Sequence, residues 1–234
     1  SNRIIETNSI ENSTRFFYEF SGLRGLLQLS DHRASAKEDG EQVPEITTFE
    51  YKFPHKEKRG VQKLVEAYWQ NDLLLVRAPT GAGKTDASLL WAAKQIESKR
   101  AARLVIAMPT RFTSNALAIN VSGTLSDTGL YHSSAWFTKF QNDIAENKID
   151  RTYASKLHEF ARLLQTPITV CTIDHLLAAL TLTREDHHLI GFNLANSCLV
   201  IDEADFYDDF TTANILVLLK ILNRLKVPVL IMSA

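Results

Sequence analysis

Short aliphatic runs alternate with longer amphipathic stretches over most of this chain. From Pro54 onward, each aliphatic run is followed by a stretch whose apolar residues recur at helical spacing. Uninterrupted aliphatic runs are typical of strands that are covered on both faces of a parallel sheet. The strands are predicted at Leu73–Val76, Leu104–Ala107, Ile168–Cys171, Leu199–Ile201 and Val229–Met232. The pattern therefore predicts an α/β fold in which helices flank a parallel sheet.

The amphipathic stretches define the predicted helices and the domain division. The helices are predicted at 56–70, 85–98, 113–125, 154–164, 174–183 and 210–225. The first 30 residues also carry apolar side chains at helical spacing, which predicts one or two further helices interrupted at Gly22 and Gly25. The polar stretch 37–44 predicts an exposed linker. We therefore expect a short helical N-terminal extension, residues 1–45, and a main lobe, residues 46–234.

Composition restricts the class of protein but does not indicate a particular reaction. The chain has 234 residues, 45% of them apolar, and a formal net charge of −1, so any contact with nucleic acid must be local. Cys171 and Cys198 are too few for a disulfide framework and are predicted to be buried, reduced thiols. No apolar run reaches the roughly 18 residues of a membrane span, and the first residues form no signal peptide. These features predict a cytoplasmic protein without a membrane partner.

A glycine-containing segment, Ala78 to Thr85, lies between the first predicted strand and the next helix. Its glycines allow backbone N–H groups to turn inward, Lys84 is predicted to reach the β- and γ-phosphates, and Thr85 to hold Mg²⁺. Ala78 stands where the pattern G-x-x-x-x-G-K-[ST] has its first glycine, so the match is to the variant A-x-x-G-x-G-K-T, and a chance glycine-rich turn is the alternative. The predicted phosphate-binding residues are Thr80, Gly81, Ala82, Gly83, Lys84 and Thr85.

Two acids, Asp202 and Glu203, directly follow the fourth predicted strand. Parallel α/β sheets bind ligands at the carboxyl ends of their strands. Asp202 is predicted to hold Mg²⁺, directly or through water, and Glu203 to polarise the attacking water, which makes these acids and Lys84 the predicted catalytic residues. Helix capping is the alternative, because Asp208 and Asp209 also precede a helical stretch.

Polar residues near other strands complete the candidate site. The Gln62 amide is suited to both edges of adenine and Phe53 to stacking on the base, although an exposed helix face with a core Phe explains them equally well. Hydroxyls and N–H groups after two further strands are predicted to hold the phosphates of a nucleic-acid strand, and ordinary N-capping explains Thr110 or Asp174 as well. The predicted nucleic-acid-binding residues are Pro109, Thr110, Arg111, Thr172 and Asp174.

In this order, the motifs from about residue 50 to the end resemble the first RecA-like motor lobe of superfamily 2 helicases and translocases, which are P-loop NTPases. The resemblance implies ATP with Mg²⁺ and a second RecA-like lobe that supplies arginine fingers for hydrolysis. Ser233 and Ala234 look like the start of the S-A-T motif of this family. We therefore expect the chain to be part of a longer protein.

Within that superfamily the chain resembles the helicase, or helicase-nuclease, of type I CRISPR systems. The similar segments are Gly83–Ala92, in which Asp86 follows the threonine, Tyr131–Ala135 and Thr172–Leu177. This resemblance implies translocation on single-stranded DNA and a partner surveillance complex of the Cascade type.

The segment Leu26–Ser35 resembles the end of the HD nuclease domain that precedes the motor in many members of the group. Asp31 and His32 alone make no metal site, and His187 with His188 is assigned to a solvated loop, so no nuclease is predicted here. Asp205 replaces the histidine that usually ends the acidic motif of the group and gives the D-E-A-D of RNA helicases. Asp205 and Gln62 leave an RNA helicase as one alternative function, and the apparent absence of a second lobe leaves a nucleotide-dependent binding module without turnover as the other.

Overall fold

The computed structural model describes residues 2–38, 48–110, 113, 128–131, 145 and 151–234. The strands are β1 (Leu73–Arg77), β2 (Arg103–Met108), β3 (Thr128–Tyr131), β4 (Ile168–Thr172), β5 (Ser197–Ile201) and β6 (Val229–Ser233). The helices are α1 (Asn2–Glu38), α2 (Gly60–Ala67), α3 (Lys84–Glu97), α4 (Arg151–Arg162), α5 (Ile173–Ala179), α6 (Glu185–Ala195) and α7 (Asp209–Arg224). A 3₁₀ turn covers Ala204–Phe206.

The strands described form one 6-stranded sheet in the order β1-β6-β5-β2-β4-β3, and every neighbouring pair is parallel. Arg77 at the end of β1 lies opposite Ser233 of β6, and Met108 at the end of β2 lies opposite Thr172 of β4. The carboxyl ends of these strands therefore meet along one edge of the sheet. This arrangement confirms the predicted parallel α/β fold.

The sheet is buried between two apolar layers because successive side chains of a strand point to opposite faces. In β2, Leu104 and Ile106 belong to the core that α2 and α3 cover, whereas Val105 and Ala107 belong to the core under α5, α6 and α7. Both cysteines are free and buried, as predicted. Full burial of one large aliphatic side chain contributes about 1.5–3 kcal/mol, so the central strands anchor the site-bearing edge.

The structure confirms the five predicted strands and corrects two other assignments. Strand β3 was not predicted, because the sequence T-G-L-Y contains a glycine and no aliphatic run. The solvated loop assigned to His187 and His188 is wrong, because both residues lie in α6 and His187 is only 8% exposed. Ile190 and Leu194 share the buried face of α6 with His187, so the buried positions 187, 190 and 194 recur at helical spacing in the sequence. The predicted helix 113–125 lies almost wholly outside the described residues.

The N-terminal extension is one continuous helix through both glycines, and it packs against α6. A Cβ atom on Gly25 would lie 3.0 Å from the Cα of Leu189, so the two helix backbones approach closely there. The Ser21 hydroxyl lies 2.5 Å from Nδ1 of His188, which joins the same pair of helices. The division near residue 45 stays a prediction, since residues 39–47 lie outside the described ranges. None of the described helices has the length and apolarity that a bilayer span requires.

The contact of α1 with α6 predicts a position-specific packing effect. Gly25→Val is expected to lower the free energy of unfolding by about 1–3 kcal/mol, because the added side chain would press against the backbone of α6. Urea unfolding measures this change. Leu27→Val is the control, since Leu27 is 72% exposed on α1 and its replacement should cost no more than about 0.5 kcal/mol. Equal losses in both variants would contradict the packing role of Gly25.

Candidate nucleotide-binding site

The segment between β1 and α3 has the backbone conformation of an anion-binding loop. Gly81 and Gly83 have φ values of 80° and 87°, in the left-handed region that favours glycine. A Cβ atom on Gly83 would also lie 2.4 Å from Nε2 of Gln62, so this position has no room for a side chain. Gly83 is the N-cap of α3, whose first N–H groups and positive helix end suit a phosphate.

The Lys84 ammonium lies across the mouth of this loop. Its Nζ donates hydrogen bonds to the carbonyl oxygens of Ala78, at 3.1 Å, and Ser233, at 3.4 Å. Neutral carbonyls hold an ammonium less strongly than charged oxygens do, so phosphate oxygens can replace them. Lys84 therefore connects the loop with the end of β6 and remains available for an anion.

The two acids after β5 lie in the field of the same lysine. Asp202 is 7% exposed, and its Oδ1 accepts a hydrogen bond of 2.8 Å from the backbone N–H of Glu203. Burial raises the pKa of Asp202, while that hydrogen bond and Lys84 oppose the rise. Burial and the charge of Asp202 raise the pKa of Glu203. Because Asp202 is still under-compensated, its carboxylate gains from a further cation.

Glu203 itself has a φ of 53°, a left-handed conformation that a residue with a side chain seldom adopts. Such strain persists where the surroundings enforce it, and it is common at functional sites. The capping alternative applies to Asp208, whose Oδ1 accepts from the N–H of Thr211 at 2.7 Å at the start of α7. Asp202 caps no α-helix.

Ser233 and Ala234 lie between the loop and the acidic segment. The Asp205 carboxylate accepts a hydrogen bond of 3.3 Å from the N–H of Ala234, and Arg77 donates to the Ala234 carbonyl at 2.9 Å. The N–H of Ala78 donates to the Ser233 carbonyl at 3.1 Å. The end of β6 therefore bonds to both halves of the candidate site.

Gln62 occupies a different environment from an exposed helix face, because it is 1% exposed. Its Oε1 accepts from the backbone N–H of Arg59 at 2.8 Å, and its Nε2 donates to the Gly83 carbonyl at 3.3 Å. The Nε2 end of the amide thus links α2 to the phosphate loop, Ala78 to Thr85, and the Oε1 end caps the start of α2. Contact of Gln62 with adenine stays a prediction.

The predicted nucleic-acid residues follow β2 and β4, which are neighbours in the sheet. Thr110 Oγ1 accepts from the N–H of Thr113 at 3.3 Å, which is the pattern of a capping residue. Thr172 is the N-cap of α5 but makes no side-chain capping bond, and Asp174 is exposed in the first turn. Pro109 directly precedes Thr110, and Arg111 lies outside the described residues.

Sequence reasoning missed two features of this region. The Tyr207 hydroxyl is buried without a hydrogen-bond partner in the part of the chain that the structure describes. Burial, together with the nearby charge of Asp202, raises the pKa of Tyr207. The second feature is a contact between Asp86 of α3 and Tyr51, which precedes α2. A lone aromatic or acidic residue gives no periodic signal, so these contacts could not be read from the pattern.

The residues present fit a nucleotide with Mg²⁺. Mg²⁺ is usually bound by one or two protein oxygens together with phosphate oxygens, and Thr85 and the under-compensated Asp202 supply such oxygens. Within the described ranges, no three His, Cys, Asp or Glu residues cluster as a metal site. A glycine loop, a lysine and two acids at the carboxyl ends of a parallel sheet define a P-loop NTPase of the RecA-like class.

Comparison with known proteins gives the family. The family model of the DEAD/DEAH box helicases matches residues 59–234, which is most of the chain. The chain belongs to the DEAD/DEAH box helicase family. This assignment confirms the predicted superfamily 2 motor lobe and its RecA-like fold.

Individual relatives show which members of that family the chain resembles. Over 167 residues the chain is 29% identical to the putative CRISPR-associated nuclease/helicase Cas3 of Methanocaldococcus jannaschii, covering 70% of this chain and 23% of that protein. The crystal structure of T. fusca Cas3 with AMPPNP superposes with a TM-score of 0.65 and 27% identity, covering 81% of this chain and 23% of that one. These matches confirm the resemblance to CRISPR-associated helicases. The chain spans about a quarter of the length of these relatives.

The buried carboxylate predicts a pH-dependent effect on stability. Asp202→Asn is expected to raise the free energy of unfolding at neutral pH, because burial raises the pKa of Asp202 above 3.8 and the amide oxygen can still accept from Glu203. A group whose pKa is raised in the folded state contributes its full stabilisation at pH values below its unfolded-state pKa. This contribution is lost as the pH rises through the folded-state pKa. The gain should therefore be absent well below pH 3.8 and grow toward neutrality.

Urea unfolding of the nucleotide-free protein at several pH values measures the effect. Asp208→Asn is the control, because the hydrogen bonds from Thr211 lower the pKa of Asp208. Loss of that charge should destabilise the protein at neutral pH and not at acid pH. The same sign of effect in both variants would argue against a buried, under-compensated Asp202.

Proposed function

We propose that this chain is the first motor lobe of an ATP-dependent DNA helicase or translocase that acts in type I CRISPR interference. The observation that carries the proposal is the meeting of Lys84, the loop before it and Asp202 at one edge of the sheet. Its family and its similarity to Cas3 proteins support the class of motor. Because the chain spans about a quarter of those relatives, the activity is proposed for the complete protein.

The residues of the loop have distinct roles in this proposal. The N–H groups from Thr80 to Thr85 and the positive end of α3 bind the phosphates, and Lys84 moves from its two carbonyls to phosphate oxygens. Thr85 and Asp202 would hold Mg²⁺, which would neutralise negative charge on the phosphates. The under-compensated charge of Asp202 supports this assignment.

Glu203 is proposed to orient and polarise the attacking water. Burial and the charge of Asp202 raise the pKa of Glu203, which makes its carboxylate a stronger proton acceptor. Motors of this class hydrolyse ATP between two lobes, and an arginine finger contributes about 10³ to 10⁵ in rate to related phosphoryl transfer. The lone lobe is therefore expected to bind nucleotide and to hydrolyse it slowly.

Single-stranded DNA is the proposed track, held at the ends of β2 and β4. The proposed phosphate contacts are Thr172, whose side chain makes no capping hydrogen bond at the N-cap of α5, the backbone N–H of Asp174 and the segment Pro109–Arg111. A Cascade-type surveillance complex is the proposed partner, on the ground that the relatives are CRISPR-associated. The RNA-helicase alternative drew on Asp205, but the bond from Ala234 gives this acid a structural role of its own.

Removal of either predicted catalytic side chain should stop the motor. In the complete protein, Lys84→Ala and Glu203→Gln are each expected to lower DNA-stimulated ATP hydrolysis by about 100-fold or more, because each removes charge stabilisation or water activation. Phosphate release measures this. Lys94→Ala is a matched control on α3, since Lys94 pairs with Glu97 on the exposed surface and should leave turnover unchanged. Undiminished turnover in both catalytic variants would reject the mechanism.

The choice of polynucleotide separates the three functions. Single-stranded DNA is expected to stimulate hydrolysis more than RNA of the same sequence at equal salt concentration. Greater stimulation by RNA would favour the D-E-A-D type RNA helicase. Nucleotide binding without turnover in the complete protein would favour the binding module.

A further inference from the structure

The residues just before α2 form a segment without helix or strand that contacts the phosphate loop and the start of α3. We call residues 48–59 the N-terminal strap. Asp86, in the first turn of α3, contacts the strap with both carboxylate oxygens. The Tyr51 hydroxyl donates to Oδ1 at 2.9 Å, and Nε2 of His55 lies 3.5 Å from Oδ2. Tyr51 is separated from Asp86 by 35 positions, so this is a tertiary link and not a local turn.

The strap is also tied to the loop at its other end. The Arg59 guanidinium donates to the carbonyl of Gly81. Gln62, in the first turn of α2, donates to the carbonyl of Gly83. These bonds fix the junction of the strap with α2. Asp86 holds the middle of the strap through Tyr51 and His55, which lie on either side of Phe53 in the sequence.

Phe53 is held indirectly by this link. Its ring meets the His55 ring edge-on, with centroids 5.4 Å apart and an interplanar angle of 78°. The Lys58 ammonium lies 5.8 Å from the centroid of the Phe53 ring and pairs with Glu66 at 2.6 Å. The orientation of the ring therefore depends on His55 and Lys58, and through His55 on Asp86.

A carboxylate in the first turn of α3 needs such partners. The positive end of a helix attracts both a carboxylate and a phosphate, and an uncommitted Asp86 would repel the phosphate from that position. Burial and Asp86 raise the pKa of Tyr51, so its hydroxyl stays protonated and keeps donating. Asp86 is thus committed to the strap and leaves the loop to the phosphates.

We propose that Asp86 is a positioning residue that fastens the strap and thereby sets the affinity for the base of the bound nucleotide. It acts through Tyr51 and His55 on Phe53, the ring predicted from the sequence to stack on the base, and phosphate binding and hydrolysis stay with the loop and the acids. The inference rests on the proposed ATPase function.

The test separates binding of the base from binding of the phosphates. In the complete protein, Asp86→Ala is expected to raise KM for ATP by about fivefold to tenfold, since it removes the charge-assisted hydrogen bond from Tyr51 and the contact with His55. Its kcat at saturating ATP should stay within about twofold, and so should the inhibition constant of inorganic tripolyphosphate, which has no base. Equal losses for ATP and tripolyphosphate, a fall in kcat alone, or an unchanged KM would each overturn the proposal.

A second variant and two controls keep the outcome interpretable. Tyr51→Phe removes one hydroxyl and keeps the ring, so it tests the link even if Asp86→Ala folds poorly. Its effect should have the same direction, and the double variant should lose little more than Asp86→Ala alone. Asp209→Ala removes an acid from the first turn of α7 and should leave KM unchanged. If Lys84→Ala and Glu203→Gln both keep undiminished turnover, the proposed function fails; if both are inactive and Asp86→Ala has a normal KM, only this inference fails.

Discussion

The parallel pairing of β1 and β6 is the constraint on which the rest of the site depends. Their register sets Arg77 opposite Ser233, so the phosphate loop begins where β6 ends. The Lys84 ammonium can then reach the Ala78 and Ser233 carbonyls together. β5 pairs with β6 on its other side and delivers Asp202 to the same edge. A slip of one residue in either pairing would turn alternate side chains to the wrong face and separate these groups.

Features that cost stability collect at this edge. Asp202 is buried with incomplete compensation, Glu203 holds a left-handed backbone, and the Tyr207 hydroxyl is buried without a partner among the described residues. Each costs on the order of 1–3 kcal/mol in typical proteins. The apolar layers on both faces of the sheet offset such costs, because β2 and β5 are covered along almost their whole length. Local conflicts of this kind are expected where a fold serves chemistry.

The strands, the loop and the acids could be predicted because their signals lie within a few consecutive residues. The loop needs its glycines at fixed spacing, and Asp202 directly follows a buried strand. Features built from distant parts of the chain could not be read in this way, because Gln62, for example, owes its role to a carbonyl 21 positions away. Strand β3 was missed because its register with β4, and not its own composition, makes it a strand.

The first turn of α3 shows how an acid can stand beside an anion site. Lys84 and Asp86 are two positions apart, which on an α-helix turns their side chains about 200° from each other. The ammonium is directed to the loop and β6, whereas the carboxylate is directed to Tyr51 and His55. Within one helical turn, the group proposed to attract the phosphates and the group proposed to position the base therefore lie on opposite sides of α3. Two positions of sequence are enough for this separation, because the helix period turns the two side chains apart and Tyr51 and His55 contact the acid on its own side of the helix.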